Sequence, residues 1–189
     1  MYMESLFRFF NQYHKISNAS QNALLEVIHE THVAKNELLQ KIGVTCKTIY
    51  FIKSGIARIF YYKDGIDITE SFAFENHLIA RVESLFTGKP SLKGIHILES
   101  ADIIAIDANK LFKLYDSHYD IERLFRIIFE QAYVETVNRI ESIQFHTAEE
   151  RYKNLLFQTN YLQQIPLKYI ASYLGITQVS LSRIRAGIK

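Results

Sequence analysis

Between Tyr119 and His146 the chain runs without a glycine or a proline, long enough for about seven turns of α-helix. Leu124, Ile127, Val134 and Val137 fall along one side of that helix, and Ile121, Phe125, Ile128, Ala132 and Ile143 along the neighbouring side. A helix with two adjoining apolar stripes needs two surfaces to bury against. One is the body of its own chain. The other is expected to be a symmetry mate, which makes the stretch a dimerisation helix. It also divides the chain into residues 1–117, the helix at 118–146, and a C-terminal unit at 147–189.

The first part has a different grammar. Leu6, Phe7, Phe9, Phe10 and Tyr13 suit a short amphipathic helix packed on the body of the protein, and the pattern from Ser20 to His29 is again helical behind an N-cap serine. From about His32 to Asp107, short runs rich in Ile, Val, Phe and Tyr follow one another: Thr48 to Lys53, Ile56 to Tyr62, Ile66 to Phe74 and Ile95 to Ile106. Lys53-Ser54-Gly55 and Lys63-Asp64-Gly65 read as hairpin turns, since glycine accepts a positive φ. Many short strands with such turns imply a sandwich, roll or barrel.

The last part carries the most information. Thr147-Ala-Glu-Glu150 is a capping box opening a helix that should run to about Thr159. Pro166 then suits the start of another helix, with Ile170, Ala171 and Leu174 on one face and Gly175 able to end it in the left-handed conformation. Ile176 plugs the turn, Thr177 caps a final helix, and Leu181 and Ile184 point inward. Ala171 is small where two steeply crossing helices must touch. This order predicts a helix-turn-helix whose second helix enters the major groove. At 100° per residue, Val179, Ser182, Arg183 and Ala186 face away from Leu181 and Ile184, with Gln178 at the flank. Arg183 could pair with guanine, Gln178 with adenine, and Val179 with a thymine methyl. Lys168 and the amides near Leu167 and Thr177 suit phosphate oxygens. The bland alternative is an ordinary helical hairpin with a solvated arginine.

Charge follows the same division. The whole chain has a formal net charge of +2, too little for a nonspecific polycation. Residues 147–189 nevertheless net +4, from Arg151, Lys153, Lys168, Arg183, Arg185 and Lys189 against Glu149 and Glu150, which leaves residues 1–146 at −2. One cysteine, Cys46, excludes an internal disulfide and a thiolate metal cluster, so a reducing cytoplasm fits. No apolar run approaches the roughly 18–20 residues of a membrane span, and no signal peptide is expected at the start.

With these motifs in place, the chain resembles the Crp/Fnr family of bacterial transcription regulators over nearly its whole length. Lys35 to Gly43 looks like the family's Gly-Glu turn, Tyr50-Phe-Ile-Lys-Ser-Gly55 looks like its Tyr-Phe-Ile-x-x-Gly hairpin, and Glu150-Arg-Tyr, Ile170 to Thr177 and Leu181-Ser-Arg-Ile184 are similar to its DNA-reading segment. The resemblance implies an α+β chain. Its parts would be an N-terminal antiparallel β-roll of the cyclic-nucleotide-binding (jelly-roll, double-stranded β-helix) type with flanking helices, a long dimerisation helix and a C-terminal winged helix-turn-helix. It implies a homodimer, double-stranded DNA with a palindromic operator and RNA polymerase as partners, and no cofactor. By position, Gln178, Val179 and Arg183 occupy base-reading places, and Ser182 shares their face. Lys168, Thr177 and Ser180 occupy backbone-contacting places. Only Arg183 matches the family's Arg-Glu-x-x-x-Arg reader, and the interval from Thr159 to Pro166 leaves little room for a two-stranded wing.

The same resemblance places an effector pocket on Glu83, Ser84, Pro90, Ser91 and Leu92. Nucleotide-binding relatives have Phe-Gly-Glu, then Pro-Arg and a Ser or Thr, with the arginine neutralising the cyclic phosphate. Here Glu83 and Pro90 persist, Val82 replaces the glycine, and Ser91 stands where the arginine should be. A buried phosphate without a charged partner is costly, so cyclic AMP binding is not expected. Lys89 and Lys93 are the available substitutes. An iron-sulfur sensor would need more cysteines. Haem would rest on the lone His77, and a metal at His29 and His32 would lack a third ligand. Two other function classes stay in view: a ligand-binding roll with no DNA role, and a cupin-like enzyme. The second is disfavoured by seven scattered histidines at 14, 29, 32, 77, 96, 118 and 146.

Overall fold

The computed structural model describes residues 3–158 and 160–187. Two helices, α1 (Glu4–Tyr13) and α2 (Asn18–Leu25), precede six strands: β1 (Ile28–Val33), β2 (Leu38–Gln40), β3 (Thr48–Lys63), β4 (Ile66–Ala73), β5 (His77–Ile79) and β6 (Gly94–Asp107). Helix α3 (Val82–Thr87) lies between β5 and β6. Then follow α4 (Ala108–Leu114), the long α5 (Tyr119–Phe145), α6 (Ala148–Gln158), a 3-10 segment (Asn160–Gln164), α7 (Leu167–Leu174) and α8 (Gln178–Gly187).

All the strands join one antiparallel sheet with the order β1-β6-β3-β4, while β2 also pairs with β6 and β5 with β3. The expected roll is therefore an open sheet, not a closed barrel. Two strands of unusual length, β3 and β6, form its spine. Their register shifts between Ile52 and Ala57, and such bulges bend a strand and sharpen its twist.

That bulge corrects one expectation. Lys53-Ser54-Gly55 does not reverse the chain; it lies inside β3. Gly55 has φ +98°, and a Cβ there would sit 2.7 Å from both Ala101 Cβ and the Ser100 carbonyl. Glycine at this position serves close approach between strands, a need that looks like a turn in sequence. Lys63-Asp64-Gly65 is the real hairpin. Asp64 and Gly65 both have positive φ between the paired Lys63 and Ile66, as a two-residue type I′ turn requires.

The helix expected over Ser20 to His29 is also corrected. It spans Asn18–Leu25, capped by Ser17, whose hydroxyl accepts from the Ser20 amide at 3.2 Å. The following residues pair with β6 from Ile28↔Ile106 to Val33↔Ala101, so sheet pairing overrides local helical pattern. His29 and His32 consequently lie on a strand, three apart and on opposite faces. His32 instead meets Asp102, at 2.8 Å. Among the described residues no group of three or more His, Cys, Asp or Glu could hold a metal ion.

Three apolar clusters build the core. Ile52, Ile59, Ile95, Ile97 and Ile103 pack together among the strands of the roll. Helices α1, α2, α4 and the start of α5 cover another side, where Phe10 packs edge-on to Phe125 at 5.5 Å and Phe9 meets Phe51 at 5.3 Å. The third cluster joins Ile56, Phe74 and Leu98 of the roll to Tyr152, Leu155, Ile170, Leu174 and Leu181 of the C-terminal helices. No helix among the described residues is long and apolar enough to cross a membrane.

Helix α5 is buried only through Ile121, Leu124, Phe125 and Ile128, all in its first half. Farther on, Tyr133, Val134, Ile140, Ile143 and Phe145 are exposed. Of the two stripes expected from sequence, the chain's own body covers the N-terminal part and leaves Val134 and Ile143 open.

Candidate nucleic-acid interface

Each end of the helix-turn-helix is fixed by the residue types the sequence provides. Pro166 is the N-cap of α7, just ahead of the first helical turn where it was expected, and Gly175 ends the helix with φ 69° and ψ 30°. The Gly175 and Ile176 amides donate back to Ser172 and Ala171 carbonyls at 3.0 Å, satisfying groups a helix end otherwise leaves free. Thr177 then caps α8: its hydroxyl accepts from the Ser180 amide at 3.1 Å and lies 3.0 Å from the Ser180 hydroxyl. Ile170, Ala171, Leu174 and Leu181 are buried together, so the two helices hold a fixed crossing. Losing Leu181, which has no exposed surface, would cost on the order of 2–5 kcal/mol.

The outward face of α8 carries Gln178, Val179, Ser182, Arg183 and Ala186, all exposed, with Ser180 half-buried at the capped end. Val179 is 62% exposed on that face. Arg183 and Arg185 form no ion pair among the described residues. Lys168 is exposed at the start of α7, its Nζ 4.7 Å from the centroid of the Tyr169 ring. The structure thus brings Gln178, Val179, Ser182 and Arg183 onto one open face, and keeps Thr177 and Ser180 at its N-terminal edge. Between α6 and α7 there is a 3-10 segment and no strand among the described residues. The expected helix end at Thr159 and the charge of Lys189 lie outside them.

Sequence reasoning missed what seats this unit. Arg58, buried on β3, donates to both carboxylate oxygens of Asp67 at 2.6 Å, to Thr69 Oγ1 at 2.9 Å and to His96 Nδ1 at 3.2 Å. Its guanidinium stacks 3.7 Å from the ring of Tyr169 on α7. Ser172 of α7 accepts from the Thr69 amide of β4 at 2.8 Å. On the other flank, Arg139 of α5 donates to the Tyr173 carbonyl and stacks 3.8 Å from that ring, and Arg151 of α6 donates to the Leu174 carbonyl at 2.7 Å. An arginine in the apolar run Ile56 to Phe60 was the available signal, because a lone charge there must find a buried partner. Arg151 and Lys153, counted above toward a basic reader, are spent otherwise: the first on α7 and the second on Glu149 at 2.7 Å.

The expected effector residues do not form an open anion cradle. Arg81, buried beside them, pairs with Glu70 at 3.1 Å and Glu83 at 2.8 Å. Ser91 donates to Glu83 at 3.0 Å, and Lys93 pairs with Glu70. Burial would raise the Glu83 pKa, but Arg81 and the hydrogen bonds from Arg81 and Ser91 outweigh it and hold the carboxyl below its ordinary range. Two cations and two anions balance locally. Ser84 is buried and structural, accepting from the Cys46 amide at 2.9 Å, while Pro90 and Leu92 are exposed on the loop.

Comparison with known proteins places this architecture. No family model and no curated protein matches the sequence. Solved structures do match its fold. FixK2 from Bradyrhizobium japonicum superposes with a TM-score of 0.73 at 16% identity, over 86% of this chain and 84% of its own. CLP, the c-di-GMP responsive global regulator linking cell-cell signaling to virulence gene expression in Xanthomonas campestris, gives 0.70 at 12% identity over 91% of both chains. A candidate transcriptional regulator of the crp/fnr family from Eubacterium rectale gives 0.69 at 17% identity, over 89% of this chain and 82% of its own. The chain has the fold that the sequence resemblance implied.

Proposed function

From a fold shared with Crp/Fnr-type regulators we propose that this chain is a sequence-specific DNA-binding transcription regulator acting as a homodimer. The observation that carries the reading is the capped helix-turn-helix whose open face presents Gln178, Val179, Ser182 and Arg183 while Leu181 anchors it from behind. Arg183 and Gln178 are the base readers, Val179 meets a thymine methyl, and Lys168, Thr177 and Ser180 touch phosphates. The exposed apolar residues along the second half of α5 support pairing with a second copy, since the chain's own body buries none of the helix's side chains beyond Ile128. Two such readers would span half-sites about 34–36 Å apart, a palindromic operator.

The balanced Arg81, Glu70, Glu83 and Lys93 cluster supports a roll that does not bind cyclic AMP, because a phosphate would have to displace a carboxylate already paired there. Selection on random duplexes tests the main reading: a palindrome should emerge, and Arg183→Ala should lose about 1–3 kcal/mol of discrimination at one base pair per half-site. A dimer without duplex preference at low salt, or unchanged selectivity in R183A, would leave the roll as a ligand-binding module whose terminal helices only pack. Melting with cyclic AMP, cyclic GMP and c-di-GMP tests the pocket, and a large cyclic AMP shift overturns its assignment.

A further inference from the structure

A cavity of 590 Å³ opens between β4, the second half of α5, α6 and the end of α7. It lies apart from the Glu83 and Ser91 cluster, and it is of the size that holds a small organic ligand. Arg139 and Arg151 both line it. Neither forms an ion pair among the described residues, and the Nε of each is buried without a hydrogen-bond partner. The hydrogen bonds they do make go to main-chain carbonyls, Arg139 to Tyr173 and Arg151 to His146 and Leu174, which leaves further N–H groups for a ligand. Carbonyls orient a guanidinium but cancel none of its charge.

Two guanidiniums on one wall without a direct ion pair are costly in a folded protein. Burial lowers the Arg139 pKa most and Arg151 adds to it, together outweighing the opposite pull of Tyr173 and Glu70. Glu135, the one carboxylate in the lining, is exposed and pairs with neither. Beside the arginines the wall offers flat apolar surface from Phe72, Phe74 and Tyr173, then amides from Asn138 and Asn154. Paired arginines next to aromatic faces suit a planar or tetrahedral oxyanion attached to a flat body.

We propose that this cavity is a binding site for a small molecule carrying a carboxylate or phosphate group, which supplies the counter-charge that Arg139 and Arg151 lack. Because both arginines also hold the C-terminal carbonyls of α7, an occupant bears directly on the seat of the helix-turn-helix; this regulatory consequence rests on the DNA-binding reading, whereas binding itself does not. The site is lined by three elements: the roll, the long helix and the helix-turn-helix.

The test is calorimetric titration of the full chain, without DNA, using inorganic phosphate, phenyl phosphate, benzoate and neutral benzamide. Phenyl phosphate or benzoate should bind saturably at one site per chain, which distinguishes the phosphate from the carboxylate source, and benzamide should not. Arg139→Gln and Arg151→Gln should each weaken binding by roughly tenfold or more, and Arg139→Lys should recover part of the loss. Asn138→Trp fills the cavity from an exposed helix position without removing a cation, so it should block binding even where a glutamine variant fails to fold. The proposal is overturned when no oxyanion probe saturates, or when folded Gln and Trp variants bind as tightly as the parent chain. Operator binding is measured separately, so a chain that takes the probe but ignores duplex refutes only the regulator reading.

Discussion

The guanidinium of Arg58 on β3 lies 3.7 Å from the ring centroid of Tyr169 on α7, with the Phe60 ring 4.7 Å from the same guanidinium. A strand residue of the roll is thereby fixed to the first helix of the helix-turn-helix, and desolvation strengthens the contact.

Tyr169→Leu keeps apolar volume but removes the π face. It should loosen α7 by about 1–2 kcal/mol. Hydrogen exchange should show faster opening of α7 and α8 amides, with β3 and β6 unchanged. Equal protection in both proteins would mean that the stacked pair does not hold the unit down.

His96 accepts from Arg58 Nε at 3.2 Å, so it must be neutral. Burial, then the Arg58 charge, lowers its pKa below the ordinary 6.5. The unfolded chain therefore takes up this proton first as pH falls. Stability from this group is whole above about pH 6.5 and declines below it. Thermal melts between pH 7.5 and 5.5 should show a smaller decline in His96→Asn than in the parent chain; identical slopes would assign the effect to other histidines.

Asp120 ties the start of α5 to α2. Burial pushes its carboxyl up, yet hydrogen bonds from the Ser17 amide at 2.8 Å, the Ser20 hydroxyl at 2.5 Å and the Ile121 amide at 3.0 Å bring the pKa down to about 2. A depressed folded pKa stabilises above the ordinary 3.8 and is lost as pH falls through 2. Asp120→Asn should cost roughly 1 kcal/mol at pH 6, after allowing for solvent access, and nothing at pH 1.5. Urea melts at the two pH values check this.

Gly55→Ala should destabilise the roll by about 2–4 kcal/mol, because a Cβ meets backbone as well as the Ala101 side chain and the positive φ disfavours any substitute. Denaturant midpoints measure the loss. Gly65→Ala, with the same sign of φ but open space around it, should cost less.

Local signals carried far in this chain. The Thr147 box forms as read, with the Thr147 amide donating to Glu150 at 2.7 Å and the Glu150 amide to Thr147 at 3.2 Å. Gly175, Thr177 and Leu181 take the places their chemistry suggests, since capping and turn residues act over three or four positions. The misses are nonlocal. Gly55 looked like a turn because sequence cannot reveal that Ala101 passes beside it. Arg58, Arg139 and Arg151 do not stand out in sequence as holding the helix-turn-helix, because the residues they hold there lie 111 positions away for Arg58, at Tyr169, 34 for Arg139 and 23 for Arg151.

The single hydroxyl of Ser172 has a consequence beyond docking. Strand β4 is the last in the sheet order, and Ser172 bonds its Thr69 amide at 2.8 Å and its Asp67 carbonyl at 3.4 Å. A helix side chain there stands in for one rung of a further strand. The helix-turn-helix thus doubles as the guard of the sheet's open margin, and any motion that lifts it away uncovers backbone able to template cross-chain pairing.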